Sequence, residues 1–465
     1  MFQVKYVSTR GNAPALGFCD VLLTGLARDG GLYVPEVWPV LDAATIRSFA
    51  GKPYAEIAKT VLAPFVEGEI PETVFAKMVD DAYGSFHHKA VVPLVQIGSN
   101  TWILELFHGP TLAFKDVAMQ LVGPLMDYAL AERNEKATVV CATSGDTGGA
   151  AIDAFRGREN ADIFVLFPKG KVSRVQQRQM TTVYDANVHP IAIEGNFDNC
   201  QALVKAMFNH HNFRDQVKLS GVDSINWARI MSQIVYYFSA AASLGAPGRE
   251  VSFTVPTGNF GDIFAGYVAQ KMGLPIEKLI IATNQNDILA RTLETGRYEV
   301  TGVEATQSPS MDIQISSNFE RLLFELYGRD SNSVERSMSG LSQSGAFTID
   351  EEPLAQLRAE FSAGRCSETE TSDTIRQTLA DSDYLLDPHT AVAVHVAKDH
   401  HSKGPMIVLS TAHPAKFPTA VESASGIHPT LPEWQKSMME REEKFAVLEN
   451  SLEAVEAFIS ENGRT

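Results

Sequence analysis

From Thr101 onward, short apolar or β-branched runs alternate with longer amphipathic ones, and no other feature restricts the fold as much. "WILELF" precedes "DVAMQLVGPLMDYALAE", and "ATVVCAT" precedes "GGAAIDAFRG". "ADIFVLFP" follows, then "HPIAIEG" before "CQALVKAMFN", "EVSFTVP" before "DIFAGYVAQKMG", "LIIATN", and finally "PMIVLS". Brief apolar runs bounded by turn residues are strands buried on both faces, while the intervening stretches carry helical periodicity. That grammar predicts an α/β fold with mostly parallel sheets covered by helices on both sides. Before Thr101, "AATIRSFAGK", "YAEIAKTVLAPFV" and "PETVFAKMVDDAYGSF" with their proline breaks read as a mostly helical unit.

A chain of 465 residues exceeds what one hydrophobic core usually serves. The expected division is a helical N-terminal domain over 1–95, α/β domains over 96–250 and 251–430, and a helical tail over 431–465. The tail, "PEWQKSMMEREEKFAVLENSLEAVEAFI", reads as a solvated packing helix; "RDSNSVERSMSGLSQSGA" over 329–346 reads as a polar loop or insertion. A net charge of −17 argues against a broad footprint for nucleic acid or anionic lipid, so any anionic ligand must be held by local groups. No apolar stretch approaches about 18 residues and the start lacks a signal-peptide pattern, so no membrane is expected as a partner. Cys19, Cys141, Cys200 and Cys366 are scattered without a CxxC pair, which indicates neither a zinc site nor a disulfide framework and fits the cytoplasm. Nothing in the sequence separates a monomer from a homodimer.

Ligands of open α/β sheets gather beyond the carboxyl ends of the strands. Three loops stand there. After "ATVVCAT", Ser144, Gly145, Asp146, Thr147, Gly148 and Gly149 open a helix, as an anion cradle or as a simple N-capping turn. No Gly-Lys-Ser/Thr ending makes it a nucleotide P-loop. After "EVSFTVP", Gly258, Asn259, Phe260, Gly261 and Asp262 lead into another helix. After "PMIVLS", Thr411 and His413 lie at a strand end, with Thr411 the better ligand and His413 the better cap.

Lys115, in the first turn of the helix after "HGPTLAF", is an amine beside apolar neighbours. Partial removal from water disfavours its charged form, which is how a nucleophilic, Schiff-base-forming amine is made; a lysine snorkelling off an apolar face has the same pattern. One reactive amine with two anion cradles on a parallel sheet is what pyridoxal phosphate (PLP) chemistry requires.

"YVSTRG", "HGPTLAFKD", "TSGDTGGAA", "SINWARIMSQIVYY", "PTGNFGD" and "STAHPAKF" occur in this order between residue 6 and about residue 418. Together they resemble the threonine synthase family in its longer, N-terminally extended form. The resemblance implies a fold type II PLP enzyme: two open, mostly parallel α/β sheet domains with the cofactor between them, plus a helical N-terminal portion. By it, Lys115 is the Schiff-base lysine and the catalytic residue. Gly258, Asn259, Phe260 and Asp262 hold the cofactor phosphate, and Thr411 meets the pyridine nitrogen. Thr143, Ser144, Gly145, Asp146 and Thr147 take the substrate carboxylate, with Asn226 and Arg229 as candidates for the substrate phosphate. Asp146 stands where many such enzymes carry Asn, and like charge sets its side chain against a carboxylate; backbone N–H groups of the loop remain suitable.

The implied reaction converts O-phospho-L-homoserine and water to L-threonine and phosphate, with Lys115 anchor first and proton carrier afterwards. Two alternatives stay open: a phospholyase that releases phosphate, ammonia and a 2-keto acid, and a non-catalytic protein that binds a phosphorylated metabolite.

Overall fold

The structure, a computed structural model, describes residues 4–464. In chain order the strands are β1 (Tyr6–Ser8), β2 (Tyr33–Pro35), β3 (Leu94–Gln96), β4 (Thr101–Glu105), β5 (Ala137–Ala142), β6 (Ala161–Pro168), β7 (Val188–Glu194) and β8 (Leu219–Ser220). The second half adds β9 (Val251–Pro256), β10 (Ile276–Thr283), β11 (Arg297–Glu299), β12 (Ala346–Thr348), β13 (Phe361–Arg365), β14 (Met406–Ser410) and β15 (Ala446–Glu449). Two main sheets result, ordered β13-β10-β9-β14-β4-β3 and β15-β7-β6-β5-β8. Every pairing in them is parallel except that of β3 with β4. The cause is visible in the central strands: β6, β9 and β14 are buried along their whole length, as apolar strands covered on both faces must be. The expected α/β class therefore holds.

The expected domain boundaries do not. β4, which leads to Lys115, pairs with β14 some 300 positions later, so the lysine belongs to the larger sheet and not to that of the "TSGDTG" loop. Nor is the N-terminal portion a separate core. Helix Trp227–Ser243, apolar on nearly every side, packs against helices Tyr54–Val66, Lys115–Glu132 and Gly261–Lys271, and the Trp227 ring meets those of Tyr6 and Phe65. One cluster of buried side chains runs from the N-terminal portion through these helices, with smaller clusters on the other faces of the two sheets.

Two further expectations are corrected. Residues 329–346 are mostly a helix, Ser331–Ser344, because the Asp330 carboxylate caps it by accepting from the Asn332 N–H and the Ser333 hydroxyl while Val334 and Ser337 are buried. The tail is not a single solvated helix. β15 adds parallel to β7 at the sheet edge, and helix Leu452–Asn462 buries Val455 and Ile459 against Ile191, Ile193 and Cys200. At its end Arg464 donates from its backbone N–H and Nε to the buried Asp162 carboxylate, both at 2.5 Å. Among the described residues no helix is long and apolar enough to cross a membrane.

Candidate active site

Three loops leave the carboxyl ends of the neighbouring strands β9, β14 and β4, and a fourth leaves β5 in the other sheet. The turns after β4 and β14 are stitched together: the Phe114 N–H donates to the Thr411 carbonyl (2.8 Å), the His413 N–H to the Leu112 carbonyl (3.0 Å), and Ala113 bridges Ala412. Lys115 and Thr411 are thereby fixed side by side. The "HGPT" turn is tight for a local reason. Asp116 reaches back to accept from the Thr111 hydroxyl (2.5 Å) and N–H (2.8 Å), and a Cβ at Gly109 would lie 2.4 Å from the Asp116 Cβ. Leu112 sits at φ +61, a left-handed conformation that L side chains adopt at a cost of about 1–3 kcal/mol, of the kind found at functional sites.

Lys115 begins its helix, as the sequence predicts, with its side chain only 12% exposed and its Nζ 4.8 Å from the centre of the Phe114 ring. Burial pushes the amine down to about 8, against the pull of Asp146 and with the help of the Arg229 and Lys416 charges. Asp146 Oδ2 lies 3.8 Å away. The sequence reading missed what holds that carboxylate: Lys416 Nζ at 2.7 Å and Gln176 Nε2 at 2.9 Å, both on Oδ1. Lys416 is fully buried, and its Nζ also donates to the Thr111 carbonyl (2.7 Å). The signal was present in "STAHPAKF", where a second lysine stands among apolar residues. His413 accepts the Ala415 N–H (3.1 Å) and caps the short turn Pro414–Lys416; burial takes its ring down to about 4, so it is a neutral cap.

The loop after β9 is an amide nest. Ser316 Oγ donates to the Gly258 carbonyl (2.6 Å), and the Asn318 backbone and side-chain N–H groups donate to the Asn259 carbonyl (3.1 and 2.9 Å). With those carbonyls tied back, the N–H groups of Gly258, Asn259 and Phe260 have no partner among the described residues, which is how a run of amides holds an anion. Phe260, at φ +64, turns the chain into the helix. Only Asp262 departs from its expected place in this nest. It is turned into the core, where its carboxylate accepts from the Tyr236 and Tyr237 hydroxyls. Burial pushes it up to about 7, and its Oδ2 is without a partner.

In the "TSGDTG" loop the expected ligands divide. Thr143 is buried, and its hydroxyl accepts from the Gly145 and Gly148 N–H groups (2.8 and 2.9 Å), so it shapes the loop. Gly145, at φ +139, is required by the packing, since a Cβ there would lie 2.4 Å from the Gln176 side chain. The hydroxyls of Ser144 and Thr147 and the N–H groups of Ser144, Asp146 and Thr147 have no partner among the described residues and face no competitor. Thr411, 6% exposed, likewise has a hydroxyl without an internal partner. Asn226 is a helix cap: its Oδ1 accepts the Ala228 N–H (3.0 Å) and its Nδ2 donates to the Leu22 carbonyl (2.9 Å), which engages its whole amide away from any ligand. Arg229 is buried, with Nη1 on the Val222 carbonyl (3.2 Å) and Nε without a partner. Burial works against the Arg229 charge and Asp223 supports it, yet Arg229 forms no ion pair among the described residues.

Elsewhere, ligand atoms of Cys366, Glu370 and His395 lie within 4.8 Å of one another. Glu370 closes a capping box with Ser367 and the Cys366 thiol contacts the Thr371 hydroxyl, so each has an internal role.

Family descriptions match the chain in three blocks: threonine synthase N terminus over residues 5–83, pyridoxal-phosphate dependent enzyme over 91–341, and threonine synthase, C-terminal, over 390–459. Threonine synthase of Pseudomonas aeruginosa is 52% identical over 463 residues, 99% of each chain. The crystal structure of PLP-bound threonine synthase from Brucella melitensis is 63% identical, with a TM-score of 0.98 over 99% of this chain and 100% of that one. That of yeast threonine synthase is 42% identical, with a TM-score of 0.93 over 99% and 98% of the two chains. The nest, the unpartnered hydroxyl and the low-pKa amine are the groups a pyridoxal phosphate needs, and the chain belongs to the threonine synthase family of pyridoxal-phosphate-dependent enzymes.

Proposed function

We propose that this chain converts O-phospho-L-homoserine and water to L-threonine and phosphate, the reaction its family is named for. The observation that carries the reading is the Lys115 amine: largely excluded from water, weakened as a base by burial, and 3.8 Å from the Asp146 carboxylate of the other sheet's loop. The amides of Gly258, Asn259 and Phe260 would hold the cofactor phosphate, the Thr411 hydroxyl its ring nitrogen and Lys115 its carbonyl carbon. When bound, the cofactor supplies an electron sink for negative charge at the substrate α-carbon.

The remaining work falls to the chain. The N–H groups of Ser144, Asp146 and Thr147 at a helix N-terminus suit the substrate carboxylate. Arg229, with its Nε without a partner, would meet the substrate phosphate, whose oxygens suit the guanidinium fork. Once substrate occupies the site, Lys115 Nζ is the group placed to take the α-proton and return one to the next carbons. An amine whose pKa lies near neutrality suits both directions of transfer. A site closed between the two sheets would keep water out until phosphate has left. The four cysteines are free and buried, as fits action in a reducing compartment such as the cytoplasm.

The test is a spectrum followed by product analysis. PLP-loaded protein should absorb in the visible and turn O-phospho-L-homoserine into threonine and phosphate in equal amounts. 2-Oxobutyrate and ammonia without threonine would make it a phospholyase instead, and a colourless protein after PLP incubation would overturn the enzyme reading.

A further inference from the structure

We propose that Lys416 is a positioning residue for this reaction: its buried ammonium fixes Asp146 as a carboxylate, and the Asp146–Lys416 pair sets the proton affinity of the nitrogen at Lys115.

The geometry is specific. Three crossovers meet at one ion pair: Asp146 from the loop after β5, Lys416 from the turn after β14, and Thr111, whose carbonyl accepts from Lys416, from the turn after β4. Lys416 and Gln176 both occupy Asp146 Oδ1, which leaves Oδ2 for Lys115 at 3.8 Å. A carboxylate this deep is ordinarily driven to protonate. Here burial does raise it, yet the charges of Lys416 and then Lys115, with hydrogen bonds from Lys416 and Gln176, outweigh that and hold it well below the usual carboxylate range. Joining the sheets explains a charge pair, but not why the free oxygen faces the reactive amine. An apolar contact of the same volume would join them as well. The arrangement also accounts for most of "STAHPAKF": Thr411 ties the turn to Phe114, His413 caps the short helix, and that helix delivers Lys416.

Every charged group that acts on Lys115 enters the account. Asp146 favours its protonated form; Arg229 and Lys416 oppose it; Asp116 favours it weakly while bound to Thr111; and Asp262, on helix Gly261–Lys271, senses the amine from the core side. Among the described residues Asp146 is the carboxylate within ion-pair distance of Lys115, and Lys416 holds it ionised from behind. Removing the carboxylate must therefore lower the proton affinity of the nitrogen; removing Lys416, which lets the buried carboxylate take up a proton, must lower it too; and removing Lys416 once the carboxylate is gone must lower it no further.

The experiment titrates the visible absorbance of the PLP-loaded protein against pH in wild type, Asp146→Asn, Lys416→Met and the double variant. The expected midpoint falls by about 1 pH unit or more in Asp146→Asn, the size of one opposite charge within a few ångströms, and falls also in Lys416→Met, where the unpaired buried carboxylate takes up a proton. In the double variant it falls no further than in Asp146→Asn. Lys416→Arg, which keeps the charge, should keep the wild-type midpoint. As a readout without cofactor, mass spectrometry of apoprotein treated with an amine-acylating reagent should find Lys115 labelled faster at neutral pH in Asp146→Asn. That variant retains an acceptor for both Lys416 and Gln176, so it serves alone if Lys416→Met does not fold. An unmoved midpoint in Asp146→Asn, or a midpoint that rises in Lys416→Met, would overturn the proposal. It rests on Lys115 as the cofactor lysine, and that reading fails separately, by absence of the visible band at every pH.

Discussion

At the residue scale, Lys115 and Asp262 are two buried groups whose proton affinities burial moves toward each other, to about 8 and about 7. Replacement of Lys115 by Ala is expected to abolish the visible band of the PLP-loaded protein and to lower turnover by on the order of 10³-fold, since anchor and proton carrier are lost together. The rate at which apoprotein captures PLP should rise with pH through about 8, as the amine loses its proton. Asp262 gives a stability prediction with a definite sign. Its folded value lies above the ordinary carboxyl value, so the native state binds more protons than the unfolded chain in the interval between them. Its contribution to stability is full below pH about 4 and is lost as pH rises through about 7; Asp116, pushed up to about 6 by burial, acts in the same sense. Asp146, held low, acts oppositely: its contribution is present above the ordinary carboxyl value and is lost as pH falls below it. In Asp262→Asn, whose amide oxygen can still accept from Tyr236 and Tyr237, the fall in denaturation midpoint from pH 5 to pH 8 should be smaller than in wild type. A fall equal to that of wild type would show that Asp262 titrates normally.

At the element scale, how legible each segment was depended on how its burial is achieved. The strands of the sheet centres are continuous apolar runs and are readable directly. β15 is four residues with alternate exposure, beside the charged run "MEREEKF", so nothing local marks it as a strand; only the β7 edge makes it one. Helix Ser331–Ser344 was hidden by its serines, which compete with helix formation in isolation. Its stability comes from the Asp330 cap and the buried Val334. Asp330→Ala should cost about 1 kcal/mol, read from urea denaturation. Ile459→Ala removes a fully buried side chain from the contact between the C-terminal helix and the second sheet. A loss of about 2–5 kcal/mol is expected, where a solvated tail would give almost none.

At the scale of the whole molecule, the six motifs were legible but their partners in space were not. Lys115 and the nest residues Gly258, Asn259 and Phe260 could be named from spacing because each follows a strand and opens a helix. Lys416 could not be assigned to Asp146, since a contact across about 270 positions leaves no local periodicity. The same long range misled the domain boundaries, which assumed that neighbouring strands in sequence share a sheet. β14 is the extreme case. It lies in the middle of the larger sheet, between β9 and β4, yet it is the last of the six strands in the chain, and the turns after it supply both Thr411 and Lys416. A ribosome adding roughly 5–20 residues per second therefore holds β4 and β9 with open edges until almost the whole chain has emerged. The order of manufacture becomes a safeguard: no partly made chain has the pieces to load its cofactor, so an unfinished product cannot begin unguarded chemistry. In cell-free synthesis supplied with PLP, the visible band should appear only with full-length protein, never ahead of it.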